Sequence, residues 1–155
     1  MKSWVELLGL GTFCFWLFRA AVEDFRTKLV KRYYWWIAGG AGLCLLLVRR
    51  GLSWSALQDL AIYVLLQFVL FSKFYGRADC HGFNCCAITL AAYGGNLYVF
   101  LWHMLLTFAS LAVIQLCRKN VNSKGNLKVP VALIPYLTGT FAICLWFLLL
   151  RSMGA

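Results

Sequence analysis

The sequence predicts an all-α protein of one domain that crosses a membrane about six times. Three observations lead there. The chain of 155 residues is 63% hydrophobic and 13% charged, too apolar for an ordinary soluble domain. Its apolar residues fall into long runs, at 4–22, 34–48, 56–72, 79–95, 97–117 and 129–150, near the length a bilayer core demands. A spanning helix satisfies its own backbone hydrogen bonds, which lipid cannot do. Finally, the basic residues collect in alternate gaps between the runs.

Most runs have a local justification. Ahead of the first stands Lys2, with Glu6 near its start, and the heavier positive charge follows it. A secretory signal shows the reverse order, so the run is expected to stay as a span. "GLG" at 9–11 and "GGAG" at 39–42 offer small surfaces for close helix packing in the first and second runs. "SALQ" at 55–58 reads as a capping box opening the third, with Asp59 in a first turn where the helix dipole favours negative charge. "YGGN" at 93–96 predicts a tight turn between the fourth and fifth.

Charge placement sets the expected topology. The gaps 19–33, 73–78 and 118–128 hold eleven of the fifteen basic residues, and Lys2, Arg49, Arg50 and Arg151 fall on the other side. Basic residues favour the cytoplasmic side, which puts both termini outside. The net charge of +10 then fits anionic lipid headgroups, and no nucleic-acid partner is expected.

Cys14, Cys44, Cys117 and Cys144 lie in or beside spans, where Cys acts as a small hydrophobe. Cys80, His81, Cys85 and Cys86 are crowded, but the paired spacing of a zinc site is missing. Neither metal nor cofactor is expected, and Cys85 and Cys86 should pack inside the fourth helix. His103, inside the fifth run, reads as a hydrogen-bonded interior histidine.

Only five residues are acidic. Glu6 and Asp59 fall toward the outer face, and Glu23, Asp24 and Asp79 toward the cytoplasmic one. Asp24 ends the first span and Asp79 opens the fourth, so folding could bring them together. An ionisable residue at membrane depth is costly and is a functional candidate. Two close carboxylates share a proton: the ionised member can take a proton from water while the other donates to a peptide carbonyl. The competing reading pairs Asp24 with Arg26 or Lys28, and Asp79 with Arg77, as loop salt bridges.

Three stretches resemble motifs of the type IV prepilin peptidases. "EDFRTKLVKRYYWW" is similar to their first motif, an Asp followed by Arg-Thr just after a span. "YGRADCHGF" resembles the Gly-x-Gly-Asp motif, with Ala78 for the second Gly and His81 where Lys is frequent. "KVPVALIPYLTG" resembles the Pro-x-x-x-x-Pro segment at the last helix. Lys31-Arg32 stands where Pro-Asn commonly closes the first motif.

The resemblance implies a membrane aspartyl endopeptidase that removes basic leader peptides from prepilin-like proteins at the cytoplasmic face. Asp24 and Asp79 would be its catalytic pair. Gly76 and Ala78 would let the substrate backbone approach, with His81, Pro130 and Pro135 shaping the site. The methyltransferase segment of larger relatives, with its paired CxxC motifs, has no counterpart here, so peptidase activity alone is expected. The alternatives are a leader-binding relative that does not cut, and a small membrane transporter or assembly factor. A transporter should carry inverted repeats or broken helices, and neither is visible.

Overall fold

The computed structural model describes residues 2–51, 53–73, 76–121 and 132–153. Among these residues there are six α-helices and no strand. They are α1 (Lys2–Thr27), α2 (Arg32–Arg49), α3 (Trp54–Val69), α4 (Arg77–Ala92), α5 (Leu97–Val121) and α6 (Ile134–Met153). A short 3-10 segment, Phe71–Lys73, continues α3. Each apolar run thus forms one helix, with shifted ends.

Four helices are long and apolar enough to cross a membrane: Trp4–Thr27, Trp54–Lys73, Leu97–Cys117 and Ile134–Ser152. α2 and α4 fall short of that description. α4 has 16 residues, about 24 Å at 1.5 Å per residue, less than a typical hydrocarbon core. Its composition has a physical reason. Eleven of its residues are buried, and it packs against α2, α3, α5 and α6. A helix enclosed by protein need not present apolar side chains to lipid, so it tolerates Asp79, Asn84 and three cysteines.

The outward faces carry the apolarity instead. Trp36 and Trp54 are 80% and 75% exposed, and Trp4, Phe18 and Tyr98 are exposed as well. Such a surface suits lipid contact, with aromatic residues at both ends of the bundle.

Small residues set the closest approach. A Cβ on Gly42 would stand 2.8 Å from Thr89 Oγ1, so α2 and α4 meet at a distance that only Gly allows. Gly9 faces Leu45 across α1 and α2, whereas Gly11 faces open space. At this same end Arg49 donates to Glu6 Oε2 at 2.6 Å and lies over the Tyr93 ring at 4.3 Å. One guanidinium therefore ties α1, α2 and the end of α4. The turn at 93–96 forms as expected: Gly94 has φ +90° and Gly95 N–H donates to Leu90 O at 2.9 Å.

Several expected boundaries are corrected. The third helix begins at Trp54, directly after an extended Ser53 whose side chain makes no capping bond. Ser55 and Gln58 therefore lie inside the helix and form no capping box. Asp59 sits beyond the first turn, out of reach of the orphan amides. The first helix runs past 22 to Thr27, so Asp24 is in its last turns. It stops where Lys28 takes a left-handed conformation, φ 58°, with its N–H on Asp24 O at 3.0 Å. The last helix starts at Ile134, five residues later than expected, and Pro130 lies outside the described residues.

Candidate active site

The site stands at the end of the bundle where α1 ends and where α2, α4 and α6 begin. Its first member follows from a local deficiency in α6. The residue ahead of α6 is Leu133, whose carbonyl accepts from Tyr136 and Leu137 N–H at 3.1 Å each. Leu has no side-chain acceptor, so the first amides of α6 lack a local cap. Pro135, second in the helix, has no N–H and removes one orphan donor. Asp24 supplies the missing acceptor from another helix. Its Oδ2 accepts Ile134 N–H at 3.0 Å, with the Leu133 N–H also close. The side chain is 8% exposed, and the positive end of the α6 dipole faces its charge.

Asp79 occupies the first turn of α4, again at a helix N-terminus. Its own N–H donates to Gly76 O at 3.1 Å, and Gly76 is the extended residue that precedes the helix. A Cβ on Gly76 would lie 3.5 Å from Asp79 Oδ2, so Gly76 stands directly beside this carboxylate. Asp79 is half-buried and within electrostatic reach of Asp24. Asp24, at the cap of α6, and Asp79, in the first turn of α4, therefore stand at the same end of the bundle within electrostatic reach of each other.

The salt-bridge alternative is corrected for Asp24. Among the described residues the ion pairs are Arg49 with Glu6 and Lys31 with Glu23, the latter at 3.9 Å. Lys28 is within electrostatic reach of Asp24, but its Nζ donates to Phe25 O at 3.2 Å. Arg77 is exposed and forms no ion pair with Asp79. Glu23, adjacent to Asp24, turns toward Lys31 on the α2 side.

The other expected site residues divide. Gly76 and Ala78 flank Asp79, and Pro135 follows the amide that holds Asp24. His81 is exposed and stands edge-on to Phe68 of α3 at 5.6 Å. Two positions along a helix are about 200° apart, so His81 points away from the Asp79 face. The crowded cysteines also diverge. Cys80 Sγ donates to Gln67 O at 3.6 Å, Cys85 Sγ to Trp35 O at 3.5 Å, and Cys86 is fully buried.

Away from the carboxylates, His103 is fully buried and its Nε2 lies 3.1 Å from Leu137 O. Thr107 and Thr140 share a hydrogen bond of 2.7 Å one turn further on. This polar seam joins α5 to α6.

Residue-type reasoning missed the Ile134 amide, because a backbone donor leaves no signature in its side chain. Its signal was the uncapped "VALIP" start of α6. No protein-family model matches the chain, and neither a curated protein nor a solved structure is detectably similar to it.

Proposed function

We propose that the chain is a membrane aspartyl endopeptidase that cleaves basic leader peptides of prepilin-like proteins, with Asp24 and Asp79 as its catalytic pair. One observation carries this reading: the two carboxylates marked by the sequence motifs stand at one end of the bundle within electrostatic reach of each other. Six membrane crossings, a site facing the cytoplasm and both termini outside belong to the same proposal.

The chemistry follows from the pair. Like charges at short range resist joint ionisation, so one proton serves both groups. The ionised member takes a proton from water as the water oxygen attacks the scissile carbonyl. The protonated member donates to the carbonyl oxygen. Collapse of the tetrahedral species then breaks the C–N bond, and the amine leaves with a proton. Asp24, held by an amide and largely enclosed, is the more constrained partner. Asp79, half-buried beside Gly76, is the one a substrate backbone can approach.

The test is cleavage of a panel of prepilin-like leader peptides by the purified protein in liposomes, with products identified by mass. Folded protein that cuts none of them removes the peptidase reading. The second reading is a non-catalytic membrane protein in which Asp24 is only the cap of α6, and the 3.0 Å bond to Ile134 favours it. The two readings differ in what Asp24→Asn does.

A further inference from the structure

A groove of about 230 Å³ opens between the end of α1 and the start of α2. Arg19, Val22, Glu23, Arg26 and Thr27 line it from one face of α1, and Tyr34 walls it from α2. At about 30 Å³ per water this is room for a polar group of several waters' volume.

Its charges are not satisfied internally. Glu23 is one turn from each arginine, yet its ion-pair partner is Lys31 at 3.9 Å. Arg19 and Tyr34 line the groove together, and neither Arg19 nor Arg26 has an ion-pair partner among the described residues. Lys28, the next cation, turns its Nζ to Phe25 O. Two arginines without ion-pair partners among the described residues therefore line one cavity, and guanidinium groups suit phosphate oxygens.

The surroundings select the kind of phosphate. Arg26 lies in the last turn of α1, where an apolar stretch long enough to span a bilayer ends at Thr27. Trp16, Tyr33 and Tyr34 cluster beside the groove, with ring centroids 4.4–5.9 Å apart, as aromatic residues do at headgroup level. Deeper along the same helix, Phe15 and Phe18 are 58% and 61% exposed and offer a surface for acyl chains.

We propose that this groove is a binding site for the phosphate of an anionic phospholipid, held between Arg19 and Arg26. The site is separate from the carboxylate pair and does not depend on peptidase activity.

The experiment measures phospholipid retained by the purified full chain in a neutral detergent, by native mass spectrometry. The wild type is expected to keep phosphatidylglycerol in preference to phosphatidylcholine. R19Q/R26Q should bind it at least about tenfold more weakly, since each basic group at a membrane surface contributes to binding. R50Q/R151Q removes two positive charges at the other end of the bundle and should bind as the wild type does. R19K/R26K, with both charges but neither planar fork, guards against misfolding of the first variant and should also lose lipid. Equal retention by the wild type and R19K/R26K overturns the proposal, as does an equal loss in R50Q/R151Q. Added inorganic phosphate separates the two sources: displacement of the lipid by phosphate at millimolar concentration overturns the lipid assignment.

Discussion

Asp24→Asn separates a catalytic carboxylate from a structural cap. Asn is nearly the same shape, and its side-chain oxygen can still accept the Ile134 N–H now held at 3.0 Å. The lost quantity is charge. A carboxylate at a helix N-terminus contributes about 0.3–1 kcal/mol, and up to about 2 kcal/mol where partly buried. Asp24 is largely enclosed, so its charged form also carries a desolvation cost that Asn avoids. The two effects oppose, and a net loss of stability of about 1 kcal/mol or less is expected. Cleavage responds on another scale. Removing a positioned acid or base costs about 10²–10⁴ in rate. Asp79→Asn should behave alike, losing about 0.3–1 kcal/mol from the first turn of α4 and the same large factor in rate. The double variant should be no slower than either single, because residues that act as one unit are not additive. Leader cleavage in liposomes and a thermal midpoint are measured on the same preparations. Glu23→Gln and Asp59→Asn are controls that should keep cleavage, since Glu23 turns to Lys31 and Asp59 lies beyond the first turn of α3. If either aspartate variant cuts at the wild-type rate while folded, the dyad is wrong. If Glu23→Gln abolishes cleavage and Asp24→Asn does not, the register of the site is wrong.

Four further outcomes are expected. Tags on both termini should be reachable from outside and a label in 118–128 only from the cytoplasm; a cytoplasmic N-terminus puts both aspartates on the wrong face. Cleavage should survive a chelator and the purified protein should carry no stoichiometric zinc, because Cys80 and Cys85 bond to separate helices and His81 faces Phe68; chelator-sensitive cleavage with bound zinc reverses this. Gly42→Ala should destabilise by about 1–3 kcal/mol, since its Cβ would stand 2.8 Å from Thr89 Oγ1, while Gly40→Ala meets nothing within 4 Å and should be neutral or stabilising; equal thermal midpoints for the two dispose of the close α2–α4 packing. His103→Leu should cost about 1–2 kcal/mol through the lost bond to Leu137 O, and an unchanged midpoint shows that this bond contributes nothing to the seam.

The sequence by itself determined the helices and the residues worth testing. Apolar length and loop residues are local properties, so six runs became six helices, and "YGGN" became the turn that Gly94 and Gly95 close. The acidic residues were few enough that Asp24 and Asp79 could be chosen on chemistry, and the interior position of His103 was legible from its apolar neighbours. Exact ends were not, because helix termini depend on what satisfies their amides and carbonyls. Ser53 rather than Ser55 precedes α3, and Lys28 ends α1 in a conformation that glycine more commonly takes. Tertiary structure alone decided the partners. Composition does not say that α4, the least lipid-like helix, belongs in the middle; its contacts with α2, α3, α5 and α6 do. Nor does it say that Asp24 meets an amide of α6 instead of its neighbours Arg26 and Lys28. That follows from packing: Leu133 leaves α6 without a cap of its own, and the end of α1 is the acceptor the fold delivers there.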